Sequence, residues 1–173
     1  MNRRGLAAAV VLALVGVAGI VVGLVATRGD GGGGSAGVLQ AVLAGEMPAR
    51  PPFTGLTEVH LAVGDRCLAV VVADTEPERE QGLRQRRDIG LDDAMLFVFD
   101  RPVDVDFTMS TVPVALDIGF YDSAGRRLSE RHMLPCPKAE SECPVYQAGA
   151  AFRYALETLG GRLPGGSIGA CPA

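Results

Sequence analysis

The sequence lacks most of the groups on which enzymes and metal sites depend. His60 and His132 are its only histidines, and neither sits in a paired ligand motif, so no metal site is expected. It has no Gly-x-Ser-x-Gly nucleophile elbow, no HExxH helix and no phosphate loop, and it implies no cofactor. Basic charge is scarce as well. Residues 35–173 carry 13 basic and 19 acidic side chains, a formal charge of −6. An acidic surface argues against nucleic-acid binding and against docking on anionic lipid. No internal repeat is present.

What the chain does have begins with Leu6 to Ala26, an uncharged apolar run. At a rise of ~1.5 Å per residue it would span about 31 Å, close to a bilayer core. Arg3 and Arg4 precede it and favour a cytoplasmic N-terminus. The expectation is a single-pass cell-membrane protein: residues 1–5 cytoplasmic, 6–26 transmembrane, 27–54 a flexible Gly/Pro-rich linker with room for one or two helical turns over Val38 to Ala44, and 55–173 an extracytoplasmic domain of the cell envelope. A cleaved signal peptide, giving a secreted domain, is the competing reading. Gly19 and Gly23 give one small-xxx-small spacing, too little to argue for a dimer, so a monomer is expected.

Past the linker, Glu58 to Val63 and Cys67 to Ala73 read as two strands. Leu68 to Val72 is apolar without alternation, as in a strand covered on both faces. Thr75 and Glu78 have capping-box spacing, with Pro77 in the first turn, and open a helix expected to reach Arg86. Met95 to Phe99 is a buried strand before a turn at Asp100 to Pro102, and Val105 to Met109 a half-buried one. The strongest strand is Ala115 to Tyr121, where Leu116, Ile118 and Phe120 alternate with Asp117, Gly119 and Tyr121. Asp122 to Gly125 turns the chain back through Arg126 to Met133, with a bulge expected near Glu130 or Arg131. Phe152, Tyr154 and Leu156 alternate with Arg153, Ala155 and Glu157 in the last clear strand. Six or seven strands and one helix indicate an α+β, mainly antiparallel domain. It is expected as a curled sheet or partly closed small barrel with one covering helix.

The ordered blocks VVVADTEPEREQGLRQR, DDAMLFVFD, VDFTM with LDIGFYDSAGRRL, and HMLPC with CPVYQAGAAFRYALE resemble a bacterial and archaeal family catalogued as domain of unknown function 192. The likeness covers about residues 58–170. It implies a small, mainly β domain, commonly secreted or membrane-anchored, and brings no established activity. The family segment corresponding to Phe107 to Ile118 typically reads like SFWMKNTLIPLDI. Here Thr108 stands for the Trp, Ser110 for the Lys, Thr111 for the Asn and Ala115 for the Pro, while Asp117 remains.

Asp117 is the sharpest single candidate, catalytic or ligand-binding, because a carboxylate on a packed strand face needs a partner. Arg79 or Arg153 could supply one in a purely structural pair. The leading functional expectation is a membrane-tethered module that binds an envelope protein or a small ligand. The rival is a small hydrolase or isomerase using Asp117 with Tyr146, Tyr154 or Glu157. A cleft collecting these residues, with carboxyl pKa values pushed apart, would favour the enzyme. The four cysteines of an oxidising compartment are expected as Cys136–Cys143 and Cys67–Cys171, although sequence leaves the other two pairings open.

Overall fold

The computed structural model describes residues 35–90 and 92–172. The apolar run at 6–26, with its expected cytoplasmic start and the glycine-rich stretch to Gly34, lies outside the described residues. Among the described residues no helix is long and apolar enough to cross a membrane.

The elements follow in chain order as α1 (Ser35–Leu43), β1 (Met47–Pro48), β2 (Thr57–Val63), β3 (Arg66–Ala73), α2 (Glu76–Gln81), β4 (Ala94–Val103), β5 (Phe107–Thr108), β6 (Leu116–Tyr121), β7 (Arg127–Met133), β8 (Val145–Tyr146), β9 (Phe152–Leu159) and β10 (Ile168–Ala170). The main sheet runs β1-β2-β3-β4-β9-β6-β7, with β10 added beside β2. Only β3 and β4 pair in parallel, joined by the crossover that holds α2; the other pairings are antiparallel. β5 and β8 form a separate two-stranded ribbon.

The sheet does not close, so the partly closed barrel is corrected to an open sheet. The physical reason lies in its two apolar faces. Val71, Ala73, Met95, Phe97, Ile118 and Phe120 belong to one buried cluster, whereas their strand neighbours Val70, Val72, Ala94, Leu96 and Tyr121 belong to another. Successive side chains on a strand point to opposite faces, so each face needs its own cover. A closed barrel would enclose only one.

The second face is covered from both ends of the chain. Leu39 of α1 and Ile168 of β10 are buried in its cluster. This moves the domain's beginning upstream of Gly55: residues 35–54, expected as linker, contribute α1, β1 and a buried Phe53. Arg50 fastens that segment by ion pairs to Glu58 (3.0 Å) and Asp92 (2.8 Å), both of whose carboxylates are buried.

Three local expectations also change. The helix after Thr75 stops at Gln81 rather than Arg86, although Glu78 does accept the Thr75 N–H at 3.0 Å as the capping spacing anticipates. No turn forms at Asp100 to Pro102; β4 continues through them with a register shift between Val98 and Val103. The irregularity in the β6–β7 hairpin falls at Leu128, because Phe120 faces Ser129 and Tyr121 faces Arg127, while Glu130 and Arg131 pair regularly. The turn itself is as expected. Asp122 Oδ1 accepts the N–H groups of Ala124 and Arg126, and Gly125 takes φ 76°.

Both disulfides join the expected cysteines, Cys67–Cys171 and Cys136–Cys143. They close segments of very different length, 104 and 7 residues apart. Chain-entropy arguments then assign about 4–5 kcal/mol to the long bridge and about 2–3 kcal/mol to the short one. Replacing Cys67 and Cys171 together by Ser is expected to lower stability in denaturant titrations by more than the Cys136/Cys143 double replacement. The reverse order would show that the tail is held by β10 pairing and Ile168 alone.

Candidate functional site

β9 builds the site. It lies between β4 and β6, so its backbone bonds are satisfied on both sides and both its faces are covered. Glu157 pairs with Met95 on one neighbour and Ile118 on the other. Its side chain therefore emerges between two apolar neighbours on the first face. The residue is only 5% exposed. No hydrogen bond or ion pair reaches its carboxyl from the described residues.

Above Glu157 the cover is incomplete. A cleft of about 720 Å³ opens there. One wall is α2 with the turn after it, including Arg79, Leu83 and Arg84. β4 supplies Phe97 and Phe99, the approach to β5 supplies Asp106, β5 itself supplies Phe107 and Thr108, and the disulfide-closed loop supplies Glu140. Phe107 meets Phe97 edge-on at 5.2 Å and Phe120 at 5.6 Å, which locks the apolar wall into the core.

Burial pushes the Glu157 carboxyl up to about 8, with the charge of Arg84 opposing the shift. The group is therefore mostly protonated at neutral pH. Arg84 does not quench it directly. Its three guanidinium nitrogens donate to the Glu80 carbonyl (3.0 Å), the Ser110 carbonyl (2.9 Å) and Glu140 Oε2 (3.0 Å). Arg79 donates to the carbonyls of Asp74 and Val98 and lies over the Phe99 ring, 4.9 Å from its centroid.

Of the residues singled out in the sequence, Arg79 and Glu157 meet in this cleft. Asp117 does not join them. It points to the other face of the sheet, where Oδ1 lies 2.6 Å from His132 Nδ1 and Oδ2 accepts the Gly161 N–H at 2.5 Å. Its partners are thus His132 and a backbone amide rather than Arg79 or Arg153; Arg153 donates to the Phe99 carbonyl at 3.1 Å. Tyr154 is buried on the second face, its hydroxyl 3.5 Å from Gln40 Nε2. Tyr146 accepts the Leu134 N–H at 3.1 Å. Sequence reasoning did not single out Arg84, Phe97, Phe107 or Asp106 as site residues. They come from separate segments, and no local spacing joins them.

A model of the family described as an uncharacterized ACR, domain of unknown function 192, matches residues 59–169. The chain belongs to this family. No curated protein matches it. Solved structures similar to it include two. One is a protein of unknown function from Novosphingobium aromaticivorans, 25% identical, with a TM-score of 0.60, covering 72% of this chain and 93% of its own. The other comes from Sinorhizobium meliloti and is described as a candidate transcription regulator; it is 27% identical, with a TM-score of 0.54, and covers 64% of this chain and 90% of its own. Both support the fold of this member of domain of unknown function 192.

Two outcomes follow from the two carboxyls. Glu157 has a folded pKa above its unfolded value, so its contribution to stability is complete below about pH 4.5 and is lost as pH rises through about 8. Glu157→Gln is expected to flatten that slope and to raise stability near pH 8, by on the order of 2–4 kcal/mol in denaturant titrations. Asp117→Asn is expected to lower stability by about 1–2 kcal/mol. That is less than breaking a fully buried pair, because the His132 side chain is 57% exposed. An unchanged melting temperature in Asp117→Asn would contradict its structural role.

Proposed function

We propose that this chain is a membrane-tethered, extracytoplasmic module that binds a small ligand in the cleft over Glu157. The observation that carries the reading is a carboxyl buried among apolar side chains with no protein partner, facing open space. Burying a polar group unpaired is unfavourable, and a site of this kind is where a ligand can supply the missing bond. The family resemblance adds a second support. At position 108, where relatives typically have Trp, Thr108 lines the cleft, and the smaller side chain leaves that volume free. Tethering rests on the apolar run at 6–26 behind Arg3 and Arg4.

The rival hydrolase or isomerase requires Asp117 beside Glu157 or the tyrosines. These groups sit on opposite faces or in separate contacts, so the binding module is the reading that the geometry favours.

A thermal-shift screen of chemically diverse small molecules tests the reading, comparing the native chain with Val105→Trp. Val105 lies at the cleft and is 40% exposed, so an indole there fills the opening without disturbing the core. Compounds that raise the melting temperature of the native chain should lose that effect in Val105→Trp. Hits that persist in Val105→Trp would place binding elsewhere. For the tether, a phosphatase fused after residue 173 should be active in the cell, and activity of a cytoplasmic reporter at the same junction would reverse the orientation.

A further inference from the structure

The cleft's chemistry narrows the class of ligand, on the understanding that it is a ligand site at all. We infer that it takes an organic cation: a protonated amine carrying an apolar or aromatic body, with the ammonium on Glu157 and the body against Phe97 and Phe107.

Four observations converge. Glu157 is the one lining group that is both buried and without a protein partner among the described residues, and it is an acid. Besides the neutral Glu157, the lining contains four acidic side chains against two arginines, so the field in the cleft attracts cations. Arg84, through all three of its guanidinium nitrogens, and Arg79, through its carbonyl bonds, are engaged by the protein, which disfavours an anionic ligand. Finally, the aromatic wall already holds a cation. Arg79 lies over Phe99 at 4.9 Å, a cation–π contact within the cleft itself.

The groups facing Glu157 define its titration. α2 and its following turn present Glu76, Arg79, Glu80 and Arg84; the approach to β5 presents Asp106; the disulfide-closed loop presents Glu140. The flanking strands present only Met95 and Ile118 in register. Asp106 accepts from Gln147 Nε2 at 2.9 Å, and Glu140 pairs with Arg84. An arriving ammonium is thus the cation that can reach Glu157. Binding converts the neutral carboxyl to a carboxylate paired with the ammonium, and the displaced proton leaves to solvent. No covalent bond changes other than the O–H bond of Glu157.

Calorimetry on the purified full chain with both disulfides intact tests this with three probes of one shape: 2-phenylethylamine, 2-phenylethanol and phenylacetate. Titrations near pH 7 in buffers of differing ionisation enthalpy report the protons released. The amine is expected to bind at least about tenfold tighter than the alcohol or the acid, releasing close to one proton per amine bound. Glu157→Gln should remove both the preference and the proton release, while Val105→Trp should weaken all three probes together. If the alcohol or the acid binds as tightly as the amine and is lost in Val105→Trp, the cation class is wrong and the ligand cleft survives. If the amine does not bind up to roughly millimolar concentration, the inference fails, and the diverse screen separately decides whether the cleft binds anything. Amine binding that Glu157→Gln leaves unchanged also overturns it.

Discussion

The structure depends on a sheet whose two faces must both be covered. β9 sits in the middle, between β4 and β6, and its alternation distributes Tyr154, Leu156 and Thr158 to one layer and Ala155 and Glu157 to the other. Apolar residues satisfy that demand on nearly every strand. Glu157 does not, and the layer above it is built of short pieces: a six-residue helix, a two-stranded ribbon and a loop closed by Cys136–Cys143. The protonated carboxyl and the cleft are therefore one feature seen from below and from above. A buried acid persists there because open space, rather than packed side chains, lies over it.

Much of the scaffold was legible because its signals are local. The β2–β3 ladder, the β6–β7 hairpin with its Asp122 turn, and the Thr75–Glu78 cap each lie within a few consecutive residues. The disulfides were legible from the expected compartment and from loop composition. The docking of α1 was not, since Ser35–Leu43 buries mainly Leu39 and follows a glycine run whose composition reads as linker. Neither was the bulge in β4. Beside it, Phe152 belongs to the first-face cluster while Tyr154 and Leu156 lie in the second, although strict alternation from Phe152 groups all three together. The alternation of that strand did not reveal the burial of Glu157, which was named only as one of several candidates.

The contrast between Asp117 and Glu157 shows why residue type alone does not locate a site. Asp117 is the residue that the family segment retains, yet its two oxygens are taken by His132 and the Gly161 amide. Glu157 has no partner and faces a cavity. The segment where this chain departs from its relatives forms the cleft wall through Phe107, Thr108 and Val112. Thr111, where relatives typically have Asn, holds φ 61°, a left-handed conformation that suits Asn better than a β-branched side chain. Of the four departures in that segment, Thr108 is the one that lines the cleft.

The most direct test is a pH titration of the Glu157 carboxyl followed by carbon-13 NMR, assigned by comparison with Glu157→Gln. The carboxyl is expected to remain protonated through neutral pH and to titrate near 8. A midpoint in the ordinary glutamate range, near about 4.3, would mean that the carboxyl is solvated or paired, and would contradict the account.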